Sequence, residues 1–161
     1  MPNWCTNTLE VKGNKKDVLA FKKLVKAKGT ALSLAKICPE PDYTKVKVKP
    51  TYPKIREKYG KKQEFVEPSQ AWWDWCIQNW GTKWDVEAQI TEISESCLVY
   101  DFDSAWSPPT DWLKKAMEKF PELCFTLKYH EAGVGFQGIA EGYKGKFEDA
   151  TIQYNEIYEE E

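Results

Sequence analysis

The apolar residues of this chain switch repeatedly between the two-residue spacing of a β-strand and the wider spacing of an amphipathic helix. The predicted elements are a strand at residues 4–13, a helix at 14–29, strands at 86–93 and 97–103, a helix at 109–120 and a strand at 123–129. The order β-α-β-β-α-β is that of the split βαβ, or ferredoxin-like, arrangement. We therefore predict an α+β fold whose helices cover one face of an antiparallel sheet. The other face is expected to be open or covered by an insertion.

Two features extend this core order toward the C-terminus. Residues 136–142 are predicted to add one further strand after the turn at residues 131–135. The last residues end in EIYEEE, and we expect a loose acidic end unless Ile152, Tyr154 and Ile157 dock as a strand or helix.

The chain length of 161 residues is that of one domain, 1–161, with an insertion at about residues 31–84. An apolar content of 42% with 30% charged residues is typical of a soluble globular protein. No apolar run approaches the roughly 20 residues that cross a membrane, and the N-terminus lacks the apolar region of a signal peptide. We expect a cytoplasmic protein of the host cell, without membrane partners.

Within the insertion, residues 39–68 are polar and contain five prolines, which predicts an inserted arm or lid. Val46 and Val48 are candidates for a short hairpin strand. Eight basic residues interleave with tyrosines, a pattern that suits a single-stranded nucleic acid or an anionic ligand but also a solvated loop. They are Lys45, Lys47, Lys49, Lys54, Arg56, Lys58, Lys61 and Lys62, with Tyr43, Tyr52 and Tyr59.

The charge of the chain is unevenly distributed. Residues 1–69 hold 16 Lys/Arg against 7 Asp/Glu, whereas the remaining residues hold 7 against 18. A pI near 5.6 and the acidic C-terminal half argue against duplex nucleic acid as the partner.

The stretch SQAWWDWCIQNWGTKWD at residues 69–85 contains five of the eight tryptophans. We predict a helix that begins at Pro68 or Ser69 and ends at Gly81, and whose tryptophans pack on more than one flank. The polar residues that follow Gly81 form either a turn that ends the helix or the floor of a binding site.

Metal and thiol chemistry are not favoured. The five cysteines are widely spaced without a C-x-x-C pair, and His130 is the one histidine. A structural zinc site needs about four closely spaced ligands, so we expect no metal and no cofactor. The cysteines are predicted to be small buried residues in a reducing compartment.

Four motifs are characteristic: MPNWCTNTLEV at the N-terminus, NWGTKWD at residues 79–85, FDSAWSPP at 102–109 and EAGVGFQG at 131–138. In this order they resemble the YubB-like family of phage, plasmid and pathogenicity-island proteins. The resemblance implies a ferredoxin-like domain whose biochemical activity is uncharacterised. It also implies a mobile-element setting, in which small accessory proteins often interfere with host defence.

In the predicted topology the first and third core strands are neighbours, so the four motifs could meet at one end of the sheet. Indole faces there could stack a planar base or clamp an aliphatic group, while Lys83 could hold a phosphate or carboxylate. Each residue also has a structural interpretation as a turn, cap or core residue. The candidate ligand-binding residues are Trp80, Lys83, Trp84, Asp85, Trp106, Ser107, Asn7 and Glu131.

Catalysis is the less favoured interpretation. Asp101 and Asp103 share a strand face, as do the magnesium-binding aspartates of polymerase palms and nucleotide cyclases, but no glycine-rich phosphate loop accompanies them. His130 is predicted to face outward, where histidines are usually only solvated.

The leading hypothesis is a non-enzymatic binding protein of a mobile element, a counter-defence factor that captures an anionic nucleotide-like ligand. One alternative is a protein–protein inhibitor of a host defence complex. A second is a metal-dependent nucleotide-processing enzyme that uses Asp101 and Asp103.

Overall fold

A computed structural model describes residues 2–52 and 64–153, and in this part of the chain six strands form one antiparallel sheet. The strands are β1 (Trp4–Lys12), β2 (Ala88–Ser94), β3 (Cys97–Ala105), β4 (Cys124–Glu131), β5 (Phe136–Tyr143) and β6 (Lys146–Gln153). The α-helices are α1 (Lys15–Val25), α2 (Ala71–Asn79) and α3 (Thr110–Lys119), and 3-10 helices occur at Leu34–Lys36 and Pro68–Gln70. Within these ranges no helix is long and apolar enough to span a membrane.

The strand order β2-β3-β1-β4-β5-β6 confirms the ferredoxin-like topology, because β1 lies between β3 and β4 at its centre. Trp4 pairs with Ala105 and Asn7 with Phe102, as the topology predicted. The C-terminal extension contains β5 and also β6, which was expected at most as a docked tail. Tyr154 and Ile157 lie outside the described residues.

β6 escaped prediction because few of its residues are apolar. Its sequence, KFEDATIQ, is exposed at every position except the half-buried Phe147. The strand is fixed instead by a tight turn after β5, in which Lys144 (φ 48°) and Gly145 (φ 78°) both adopt left-handed backbone angles.

The core lies between the sheet and its helices. Helix α1 begins where Asn14 Oδ1 accepts a hydrogen bond from Asp17 N at 2.9 Å, and its buried stripe includes Phe21. The Phe21 ring meets Tyr100 of β3 and Phe125 of β4 edge to face, with centroids 5.9 and 5.5 Å apart. This arrangement holds α1 over the centre of the sheet.

Within the described residues the opposite face of the sheet is exposed, and the described part of the insertion does not cover it. Alternate strand residues on this face, including Thr6, Asp101, Asp103, Lys128 and His130, are exposed. These side chains are therefore accessible to ligands or partners.

Within the insertion, the described part of residues 39–68 packs against α2 instead. Val48, Val66 and Ala71 form a small second core, and Asp74 of α2 accepts a hydrogen bond from Thr51 N at 2.7 Å. Val46 and Val48 belong to no strand, and Val46 is exposed, so the suggested hairpin strand does not form in residues 39–52. Lys54, Arg56, Lys58, Tyr59, Lys61 and Lys62 lie outside the described residues.

Gly138 of β5 leaves room for the ring of Tyr129 on β4. A Cβ atom at residue 138 would lie 2.3 Å from the Tyr129 hydroxyl oxygen and 2.6 Å from the backbone oxygen of Ala150. That hydroxyl bonds Asp149 Oδ1 at 2.5 Å and also Thr151, so the ring is held in place.

We expect Gly138→Ala to lower the free energy of unfolding by about 1–3 kcal/mol, because neither the ring nor the strand can withdraw freely. Urea denaturation followed by circular dichroism measures the change. Gln137→Ala, on the open face of the same strand, is the control and should change stability by less than about 0.5 kcal/mol. Equal stability of Gly138→Ala and the wild type would contradict this packing.

Candidate functional site

The four sequence motifs meet at one end of the sheet. Thr82 of the second motif donates its hydroxyl to Ala105 O at 2.9 Å, and Ser107 donates to Gly81 O at 2.5 Å. These hydrogen bonds link the NWGTKWD motif, which follows α2, to the FDSAWSPP motif, which precedes α3.

The N-terminal motif joins the same group. Trp106 N donates to Asn3 O at 2.8 Å, and Asn7 Nδ2 donates to Ser104 Oγ at 2.8 Å. The fourth motif lies against it, because a Cβ at Gly133 would be 2.5 Å from the Asn3 side chain.

Trp80, a candidate ligand residue, is a core residue in this structure. Its side chain is 2% exposed, and its indole N–H donates to Cys38 O at 2.8 Å. The ring also meets Trp75 edge to face at 5.4 Å. A buried and hydrogen-bonded indole has no surface left for a ligand.

Asp85 organises the chain around the first 3-10 helix. Its carboxylate accepts hydrogen bonds from Ser33 Oγ and Leu34 N, both at 2.6 Å, and from Val86 N at 2.8 Å. These bonds satisfy the N-terminal donors of the 3-10 helix at Leu34–Lys36, a capping role supplied from a distant part of the sequence.

Asn7 and its neighbours form a buried polar group beneath the helices. Asn7 is fully buried, its amide N–H₂ bonds Cys5 O at 2.9 Å as well as Ser104, and its Oδ1 has no hydrogen-bond partner among the described residues. Burial raises the pKa of the Cys5 thiol to about 11. At neutral pH this thiol is protonated, so it is not an activated nucleophile.

Glu131 holds the turn between β4 and β5. Its carboxylate is 1% exposed and accepts hydrogen bonds from Gly133 N at 2.6 Å and Val134 N at 2.8 Å. Gly135 completes the turn with φ at 93°. From the sequence, Glu131 could accept hydrogen bonds either from the backbone or from a ligand. In the structure it accepts them from the backbone.

Lys83 and Trp84 lie at the surface beside two further tryptophans. The Lys83 ammonium is 4.5 Å from the ring centroid of Trp84 and 5.9 Å from that of Trp72, within the range of cation–π attraction. The Trp84 and Trp4 rings are 6.1 Å apart, tilted by 45°. We call Trp4, Trp72, Lys83 and Trp84 the tryptophan–lysine cluster.

The three rings of this cluster are exposed to an unusual degree, 49% for Trp4, 37% for Trp72 and 39% for Trp84. The sequence did not single out Trp4 or Trp72 as site residues. Trp72 shares a helical side with Cys76 and Trp80 and was therefore expected to pack. For Trp72 the available signal was that α2 contains three tryptophans, at positions 72, 73 and 75, which cannot all face one side of a helix.

Trp106 adds a strained and exposed tryptophan at the same end of the sheet. Its φ of 71° is in the left-handed region, which a bulky residue adopts only at a cost of about 1–3 kcal/mol. The ring is nonetheless 46% exposed, so burial in the core does not offset the strain energy. Strain of this kind is concentrated at functional sites.

The side chains considered for metal binding or catalysis lie on the open face of the sheet. Asp101 accepts a hydrogen bond from Thr8 Oγ1 at 2.9 Å, and Asp103 lies opposite Thr6 in the register, with His130 on the far side of Thr6. In the part of the chain that the structure describes, no three His, Cys, Asp or Glu residues are grouped to hold a metal ion.

Comparisons with known proteins bear on the fold. A family model described as a ferredoxin-like domain in Api92-like protein matches residues 79–161. The crystal structure of the protein api92 from Yersinia pseudotuberculosis is similar, with 12% identity over 96% of this chain and 98% of that chain, and a TM-score of 0.61. No curated protein matches. The comparisons give the Api92-like name rather than the YubB-like one, and at this identity the structural likeness shows the fold alone.

Replacing Asp85 should reveal its structural role. We expect Asp85→Ala to lower the free energy of unfolding by about 1–2 kcal/mol, the usual cost of losing a helix cap. Glu87→Ala, an exposed substitution two residues away, is the matched control. A chemical denaturation series for both variants measures the difference. If Asp85→Ala were as stable as the control, the carboxylate would be free for another role.

Proposed function

This chain belongs to the family of Api92-like proteins with a ferredoxin-like domain, and we propose that it is a non-enzymatic binding protein whose tryptophan–lysine cluster holds a partner protein. The proposal rests on one observation: Trp4, Trp72 and Trp84 lie next to one another in space around Lys83, and all three are exposed. Trp106, strained and exposed at the same end, is included in the binding surface.

Exposed tryptophans are costly unless a partner covers them. Each indole leaves a large apolar area in water, and tryptophan is among the residues that dominate binding energy at protein interfaces. Singly exposed apolar residues need no explanation, but a contiguous aromatic patch marks an interaction site. Trp4, Trp72 and Trp84 form such a patch.

Lys83 defines the chemistry of the partner. Its ammonium lies between two indoles and has no carboxylate partner within residues 2–52 and 64–153. A carboxylate of a partner protein would form an ion pair with the Lys83 ammonium, while apolar side chains of the partner cover the surrounding rings. The complementary surface is thus apolar with one acidic residue at its centre.

The shape of the site favours a protein over a small molecule. Small-molecule sites are concave and bury most of the ligand surface. A cavity of about 520 Å³ does exist, but it lies on the open face of the sheet and includes none of Trp4, Trp72, Lys83 and Trp84. With Trp80 buried in the core, the remaining rings form an outward-facing surface.

The resemblance to mobile-element proteins makes a protein of the host cell the first partner to test. In this proposal the chain is a counter-defence factor that blocks its target by occupying a functional surface. Inhibition by binding requires no catalytic residue.

We expect affinity capture from host cells to recover one partner with the wild-type protein and to lose it with Trp84→Ala or Lys83→Ala. Removal of an interface anchor should weaken the purified complex at least about tenfold, which biolayer interferometry measures. Ile93→Ala is the control, since Ile93 is 63% exposed on β2 outside the cluster. Equal retention of the partner by all three variants would exclude the cluster as the interface.

A second candidate is capture of an anionic nucleotide-like ligand. It is favoured by the cation next to an exposed indole, with Lys83 4.5 Å from the Trp84 centroid, because a base can stack on the ring while a phosphate pairs with the ammonium.

For this candidate, tryptophan fluorescence should be quenched saturably by one member of a nucleotide panel. The quenching should disappear in Lys83→Ala and Trp84→Ala and remain in Ile93→Ala. Wild-type fluorescence that is unchanged across the panel would leave the protein partner as the remaining binding hypothesis.

A further inference from the structure

The open face of the sheet contains a cavity of about 520 Å³ that no proposed partner occupies. Its volume is within the range of small-molecule sites, roughly 300–1,000 Å³. It crosses four strands, β1, β4, β5 and β6. Residues that line it include Thr6, Thr8, Lys128, Ile139, Ala150 and Ile152.

The half of the cavity on β1 and β4 is polar and cationic. Lys128 lies beside Thr8 in the register and is exposed. Within the described ranges its ammonium has neither a carboxylate nor a hydrogen-bond partner, and the Thr6 hydroxyl is likewise without one. In the row of Lys128 the nearest carboxylate, on Asp101, is two strands away and already accepts from Thr8. In the next row Asp103 lies opposite Thr6 on β3, on the side of β1 away from the cavity, and does not line it. An anionic group would therefore meet unsatisfied donors here.

The half of the cavity on β5 and β6 is aliphatic. Ile139 and Ala150 are opposite each other in the register, and Ile152 follows on the same face of β6. Ile139 and Ile152 are 42% and 46% exposed, so both hold apolar surface that a ligand could remove from water.

The side chains that line the cavity distinguish between a ligand with a nucleobase and a ligand with an alkyl chain. Two rings line the cavity in the described chain. Tyr129 is buried, with its hydroxyl bonded to Asp149 on the helix side of the sheet, so the exposed imidazole of His130 is the one ring presented to a ligand. A sheet that binds nucleobases presents exposed aromatic rings for stacking. The aliphatic wall favours an alkyl chain instead.

We propose that this cavity binds a small amphipathic carboxylate. The carboxylate lies at Lys128 and Thr6, and the alkyl chain runs across the sheet over Ile139 and Ala150. Two strand spacings of about 4.8 Å separate β4 from β6, a span that an extended chain of about eight carbons covers. The site uses none of the cluster residues, so it stands independently of the protein partner proposed above.

Octanoate is the probe, titrated into the protein of residues 1–161 and followed by backbone amide chemical shifts. We expect saturable shifts at residues 6–8, 128–130, 137–139 and 150–152. Lys128→Gln should weaken binding about tenfold through loss of the charge-assisted contact, and Ile139→Ser should weaken it through loss of apolar contact. Lys23→Gln, on exposed α1 surface, is the control and should bind as the wild type does.

Several results would contradict the proposed site or one of its two contacts. Binding of 1-octanol as tight as that of octanoate would overturn the role of the carboxylate, and binding of acetate as tight as that of octanoate would overturn the role of the chain. Absence of saturable shifts, shifts outside these four segments, or unchanged affinity in Lys128→Gln and Ile139→Ser would overturn the site itself. The spectra of each variant report directly whether it remains folded.

Discussion

Every feature of this protein depends on the pairing of β1 with two neighbours. All nine residues of β1 pair in register with β3, and eight of them pair with β4. A register shift of one residue would turn Leu9 and Val11 to the open face and Thr6 to the core, so burial fixes the register. The same alternation sends Asn7 under the helices and Trp4 to the open face.

The residues of the sequence motifs divide into two groups once their contacts are known. Thr82 donates to Ala105 O, and Glu131 accepts from backbone N–H groups. Asp85 accepts from backbone N–H groups and from the Ser33 hydroxyl. A side chain whose hydrogen-bonding groups are already satisfied within the chain stabilises the fold and has little left to offer a ligand. Lys83 and Trp84 remain, the first with a half-buried charge and the second with an exposed ring.

The two proposed surfaces adjoin on β1. Trp4 and Thr6 are on the same face, two residues apart, which corresponds to about 6.8 Å along the strand. The tryptophan–lysine cluster therefore borders the cavity near one end of the sheet. A protein partner that covers Trp4 would lie next to the polar half of the cavity on β1 and β4, and the aliphatic half lies farther away on β5 and β6.

Much of the fold followed from periodicity, because strands and helices with one buried side alternate visibly. β6 did not, since a strand exposed on nearly every residue has no apolar pattern and is fixed by its turn and by hydrogen bonds to β5. The meeting of the four motifs at one end of the sheet was also predictable from topology. The roles of individual motif residues were not predictable, because a polar side chain near a turn can bond a ligand or a backbone.

The sequence by itself determined the ferredoxin-like order of elements, the tryptophan-rich helix and the absence of a closely spaced cysteine or histidine pattern. Only the tertiary structure decided which tryptophans are core and which are surface. Trp80 and Trp84 are four residues apart, yet the first is bonded to Cys38 O inside the core and the second lies beside Lys83 in solvent. The reason is physical: exposure depends on which distant segment packs over a ring, and local sequence does not contain that information.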